Sequence, residues 1–146
     1  MRLVIEKSRR RLTVLEDESP LRVFPIALGR EPVGPKERAG DRKTPEVEYF
    51  VCLKKIGKFG FALGLSYPNL SDAQRMGAEP ELVSCIRERA ARGERPPWGT
   101  FLGGEIFLHG GGIAEDWTAG CVALRDEDAR WLYEQVPLLT SVIILP

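Results

Sequence analysis

Apolar side chains recur at every second position in short runs: Leu3 and Ile5, then Leu12 and Val14, then Leu21 and Val23 with Phe24 beside them. A period of two places those side chains on one face of a strand. Polar stretches at Lys7 to Arg10 and Glu16 to Pro20 interrupt the runs where turns are needed, so the first thirty residues read as a strand meander. Gly29 to Pro45 holds three Gly and three Pro among charges and reads as a long loop. Strands are expected at Glu48 to Leu53, Phe61 to Ser66, Ile106 to Leu108, Val122 to Leu124 and Ser141 to Leu145. Helical signals are fewer. Ser71-Asp72 is placed to cap one short helix, and Pro80 sits in the first turn of a second, whose Leu82, Val83, Ile86 and Ala90 share a face before Gly93 ends it. A third helix opens at Asp126 with acidic residues in its first turn, and presents Ala129, Leu132, Tyr133 and Val136 on one side. The expectation is a mainly β chain, a curved β-sandwich or open barrel with about three short helices, in one domain over residues 1–146.

Charge narrows the partners. The 21 Lys and Arg are matched by 21 Asp and Glu, so no long-range field draws in nucleic acid or an anionic membrane. No apolar run approaches the roughly 20 residues of a membrane span, and the N-terminal MRLVIEKSRRRLTVLEDE lacks the apolar stretch of a signal peptide, so the chain is expected to carry no integral membrane segment. The three cysteines, Cys52, Cys85 and Cys121, are odd in number, which leaves at least one free thiol even if two pair, and Cys121 is the candidate.

The only histidine, His109, ends an apolar strand and precedes Gly110-Gly111-Gly112, while Cys121 follows Gly120 twelve positions later. A thiol near pKa 8.5 is only a few per cent thiolate at neutral pH, and an imidazole beside it accepts the proton. The glycine before the cysteine permits a tight backbone in which N–H groups turn toward a developing oxyanion. Taken alone, such a pair is more often a small core residue and a satisfied strand-end histidine than a catalytic pair. Two other chemistries fail on the residues. A lipase-like reading of the glycine run needs a Gly-x-Ser-x-Gly elbow, which Gly64-Leu65-Ser66-Tyr67-Pro68 breaks at its last position, and a second histidine. A zinc site needs closely spaced cysteines, and none are close.

The string His109-Gly110, a short loop, then Asp116-Trp117-Thr118-Ala119-Gly120-Cys121-Val122-Ala123-Leu124 closely resembles the active-site signature of the L,D-transpeptidases of the YkuD-like family, a His-Gly followed by Ser/Thr-x-Gly-Cys. Pro32-Val33-Gly34-Pro35-Lys36 with Gly40-Asp41-Arg42-Lys43-Thr44-Pro45-Glu46 resembles the Gly-Asp-x-x-Thr-Pro loop of that family, and Leu65 to Asn69 and Leu102 to Ile106 match its Gram-negative-like branch, so the likeness covers nearly the whole chain in order. The resemblance implies the fold of that family, Cys121 as nucleophile, His109 as base, Gly110 as the carbonyl that orients the imidazole, and Gly120 with Cys121 as oxyanion-binding backbone. It further implies a thioester acyl-enzyme formed on peptidoglycan stem peptides with loss of a terminal D-Ala, capture by carbapenem-type inhibitors, a place in the cell envelope or periplasm, and no metal or organic cofactor.

Around that core the alternatives stay open. Thr118 either bonds the loop or is a plain turn residue, and Asp116 and Trp117 either line the donor pocket or anchor the loop. Tyr67 and Trp98 are candidates for the pocket wall. Asp41 and Thr44 read as turn formers before catalysts. Ala119 stands where many members carry a second histidine, which leaves His109 as the only imidazole. Ala123 stands where many carry an arginine, so a substrate carboxylate must find its cation at Arg125 or in the Lys36 to Lys43 loop. Val47 occupies a place usually held by glycine. The same nucleophile and base also serve an L,D-carboxypeptidase or a hydrolase that frees a wall-linked protein, and a non-catalytic peptidoglycan-binding module is the reading from another class.

Overall fold

In the computed structural model, which describes residues 1–146, eight strands form one curled sheet: β1 (Arg2–Glu6), β2 (Arg11–Glu16), β3 (Ser19–Pro25), β4 (Val47–Gly57), β5 (Gly60–Leu65), β6 (Phe107–His109), β7 (Val122–Ala123) and β8 (Ser141–Leu145). Their order across the sheet is β3-β2-β1-β8-β4-β5-β6-β7. Two pairings, β1 with β8 and β6 with β7, are parallel. Three helices, α1 (Leu70–Arg75), α2 (Pro80–Ala91) and α3 (Asp126–Gln135), decorate it.

The period-two runs behave as their spacing demands. Leu3, Ile5, Leu12 and Val14 are fully buried in a core of 21 side chains that also holds Val142 and Ile144 from β8 and Ala129, Leu132 and Val136 from α3. Between β2 and β3 the two-residue turn Asp17-Glu18 has both residues at positive φ, the geometry that matches the twist of a hairpin. Strand β3 departs from expectation. Leu21 and Val23 are 51% and 53% exposed, because the inward Leu12 has Phe24 as its cross-strand partner, which leaves Val23 on the outer face with Thr13. Phe24 turns inward and meets Trp131 at 5.5 Å between centroids.

Past β3 the chain runs to the other end of the strand order. Ala27 and Ala123 exchange backbone hydrogen bonds of 2.9 Å, and Gly29 bridges to Thr118, so the sheet curls until its first and last strands are tied. The loop between Gly29 and Pro45 is held from inside. The buried Lys7 ammonium donates to the carbonyls of Gly34 and Thr44 and pairs with Glu46 at 3.0 Å.

Helix α1 starts from Asn69 rather than from Ser71-Asp72. The Asn69 side chain accepts from the Asp72 N–H at 2.8 Å while the Asp72 carboxylate accepts from the Asn69 N–H at 3.0 Å, a reciprocal box that makes Asp72 the partner of the cap. Strand β4 also outruns its expected end at Leu53, reaching Gly57, since Lys54 to Ile56 pair with β5 without a core face to reveal them.

Val47 has φ +96°, where a β-branched side chain is strained, and it is half exposed. Replacing it by glycine removes that strain at little cost in packing. Val47→Gly is expected to raise stability by about 1 kcal/mol, read as a higher urea midpoint at unchanged m-value.

Candidate active site

Strands β6 and β7 run parallel, with Leu108 opposite Val122 and His109 opposite Ala123. That register brings the imidazole at the end of β6 beside the thiol just before β7, and both line one cavity of about 260 Å³. A larger cavity, about 860 Å³ between α2, the start of β4 and Leu139, has neither cysteine nor histidine in its wall.

Backbone fixes each reacting group. The His109 Nδ1 lies 2.5 Å from the Gly110 carbonyl. A carbonyl only accepts, so Nδ1 carries the proton and Nε2 is the free acceptor. Phe59 stacks on the ring at 4.7 Å and Trp117 meets it edge-on at 5.7 Å. Burial pushes the His109 pKa below its ordinary value, although the Gly110 bond works the other way, and the ring is neutral at pH 7. Cys121 Sγ accepts from the Phe107 N–H at 3.3 Å and donates to the Glu105 carbonyl at 3.4 Å. Burial raises its pKa, opposed by the Phe107 N–H and by the charge of Lys36. At rest the cavity therefore holds a thiol, whose proton goes to the Glu105 carbonyl, and a neutral imidazole, rather than a standing ion pair.

Gly120 has φ +141°, and a Cβ there would lie 2.7 Å from the Lys43 carbonyl. Its N–H turns inward to Thr118 Oγ1 at 3.1 Å, while the same hydroxyl donates to the Cys121 carbonyl at 2.7 Å. Of the two donors expected at an oxyanion, the Gly120 N–H is thus engaged, and only the Cys121 N–H has no partner within the chain. Gly120 supplies shape. Behind it lies a buried ion pair, Lys36 with Asp41 at 2.8 Å, and the Asp41 carboxylate also accepts from the N–H groups of Glu37, Arg38 and Lys43.

A family model described as the L,D-transpeptidase catalytic domain, YkuD, matches residues 1–144. The chain belongs to that family. No curated protein sequence matches the chain. Among solved structures, the L,D-transpeptidase domain is similar to a variant of the helical cell shape determining protein Pgp2 from Campylobacter jejuni, at a TM-score of 0.69 and 24% identity over 97% of this chain and 45% of that one. It is similar to Bd1075 from Bdellovibrio bacteriovorus, at 0.65 and 21% identity over 99% of this chain and 47% of that one. L,D-transpeptidase 3 from Mycobacterium tuberculosis, solved with a faropenem-derived adduct, gives 0.60 and 17% identity over 99% of this chain and 59% of that one. At these identities the likeness is one of fold, and the chain spans about half the length of the structures it matches.

The other residues singled out in the sequence divide clearly. Asp116 anchors: it pairs with Arg10 at 2.8 Å and accepts from the Leu28 N–H at 2.9 Å. Burial alone would raise its pKa, and the Arg10 and Leu28 bonds bring it below the usual carboxylate range. Trp117 donates to the Gly112 carbonyl at 3.0 Å and fills the space over Gly111, so it braces the histidine from the side. Thr118 is buried within the loop. Tyr67 does not reach the cavity. It is fully buried, with its hydroxyl donating to the Leu102 carbonyl at 2.6 Å, because its strand end faces the core and the small α1–α2 cluster. Trp98 stands behind the wall, edge-on to Phe107 at 5.6 Å. Arg125 is the exposed N-cap of α3, and neither it nor any residue of the Lys36 to Lys43 loop is in the cavity lining, where Lys36 is in addition paired with Asp41. Lys55, Lys58 and Glu105 occupy the cavity wall instead. The Lys-rich end of β4 was the only sequence signal for them, and it reads as an ordinary hairpin. All three thiols are free.

The single histidine gives a direct check. Nitrogen NMR of the ring is expected to show the Nδ1-protonated tautomer and a pKa below 6.5. Because the unfolded chain then binds a proton more readily than the folded one, His109 makes stability fall as pH drops below about 6.5.

Proposed function

We propose that the chain is a cysteine-dependent L,D-transpeptidase that acts on peptidoglycan stem peptides through a thioester. The observation that carries the reading is the shared cavity of Cys121 and His109, with the imidazole held in its Nδ1–H form by Gly110. Membership of the family supplies the substrate class.

In the first half-reaction Cys121 Sγ attacks the carbonyl of the L-centre of the diamino acid, and its proton passes to His109 Nε2. The tetrahedral oxyanion develops beside the free Cys121 N–H, the donor that Gly120 and Thr118 aim by fixing the loop. Collapse breaks the bond to the terminal D-Ala, whose nitrogen takes the proton back from His109, and a thioester remains. An amine of a second stem then gives its proton to His109 and attacks the thioester, which releases Cys121. Nothing in these steps calls on a metal or organic cofactor. A thiolate of this kind also opens a carbapenem ring, in keeping with the faropenem-derived adduct in L,D-transpeptidase 3 of Mycobacterium tuberculosis. The substrate places the working enzyme at the cell envelope, and no helix of the chain is long and apolar enough to cross a membrane.

Mass spectrometry of muropeptides tests the reading. Cys121→Ala is expected to abolish product and carbapenem labelling while the fold persists, and Cys52→Ala to retain both. His109→Ala is expected to lose about 100- to 10,000-fold near neutral pH and to recover as rising pH ionises the thiol unaided. Crosslinked dimer or exchanged D-amino acid is the expected product. A shortened tripeptide alone, with acceptor amine present, would make the enzyme a carboxypeptidase with the same nucleophile and base.

A further inference from the structure

The cavity that holds Cys121 and His109 carries three further charges, Lys55, Lys58 and Glu105. None of them takes part in an ion pair. Neighbouring lysines are spent: Lys54 donates to the Tyr133 carbonyl at 2.7 Å, and Lys36 and Lys7 are paired with Asp41 and Glu46. Lys55 Nζ lies over the Phe107 ring at 4.5 Å and Lys58 Nζ over the Phe59 ring at 5.4 Å. Aromatic faces steer an ammonium without neutralising it, so both cations remain available to an anion entering the cavity. Glu105 sits close to the thiol, since its carbonyl accepts the Cys121 Sγ–H, and its carboxylate lies near enough for its charge to act on Cys121.

Two cations and one carboxylate around a cavity of about 260 Å³ do not suit a simple ion. A lone carboxylate is repelled by Glu105 and a lone amine by the lysines. A group bearing both charges satisfies all three, and charged hydrogen bonds of both signs fix its orientation. In a stem peptide the diamino acid whose carbonyl meets Cys121 carries such a group at the end of its own side chain. We propose that Lys55, Lys58 and Glu105 form a clamp for the free amino-acid head of that diamino acid, the lysines on its carboxylate and Glu105 on its ammonium. The inference rests on the stem-peptide reading of the site.

The test compares tetrapeptide muropeptides whose distal carboxylate is free or amidated and whose distal amine is free or acetylated. Alkylation of Cys121 by iodoacetamide across pH runs alongside and reports the thiol alone. The K55M/K58M double variant is expected to raise KM at least tenfold for the free carboxylate and to converge with wild type on the amidated substrate. Glu105→Gln is expected to behave the same way toward the free and acetylated amine. Wild-type turnover with equal losses on free and blocked substrates, or a change confined to the pH profile of alkylation, would overturn the clamp and leave the proposed function standing. No turnover of any stem by wild type, with Cys121 still alkylated, would overturn the proposed function and the clamp with it.

Discussion

Three stretches of backbone meet with no side chain between them, and the site depends on that contact. A Cβ on Gly29 would stand 2.3 Å from the Arg42 carbonyl and 3.1 Å from Gly120 Cα, and one on Gly120 would stand 2.7 Å from the Lys43 carbonyl. The chain leaving β3, the long loop and the turn before Cys121 are thereby pressed into one layer. From it follow the inward Gly120 N–H, the Thr118 hydroxyl that ties the turn, and the direction in which Cys121 emerges. Side chains surround this layer and secure it from outside: Lys7 and Asp41 hold the loop, and Asp116 holds the start of the turn against Leu28.

Electrostatics at the site follow from the same enclosure. Burial disfavours a charge on either reacting group, so the thiol and imidazole rest neutral. In the proposed mechanism charge separation waits for substrate and then occurs beside the Phe107 N–H, the Lys36 ammonium and the free Cys121 N–H. On that proposal the lone thiol is protected from indiscriminate chemistry, because its reactivity is coupled to occupancy of the cavity.

Strand content was legible because it writes itself locally, in the period-two runs of β1 and β2, whereas His109 and Cys121 stood out only through the resemblance carried by the string around them, and the structure brings the two to one cavity. Val47 was legible too, as a residue in a glycine's place, and its positive φ is the result. What escaped was set by partners far along the chain. Leu21 and Val23 look like core residues until the register with β2 turns them outward. Tyr67 looks like a pocket residue until the Leu102 carbonyl claims its hydroxyl. The charges of Lys55, Lys58 and Glu105 carry no local sign of sharing a cavity with residues fifty positions away, since that neighbourhood exists only through the β4–β5 and β5–β6 pairings.

The bridge between Ala27 and Ala123 joins segments separated by most of the chain's length. Contacts of that span form slowly, because the loop they close must be ordered before any of its interactions repay the entropy. On a ribosome the residues around Ala27 emerge long before their partners, and the β3 end of the sheet must wait unpaired. The turn before Cys121 is consequently among the last parts of the chain able to take shape. Until then Cys121 is an ordinary exposed thiol, and its chemistry belongs to the finished fold alone.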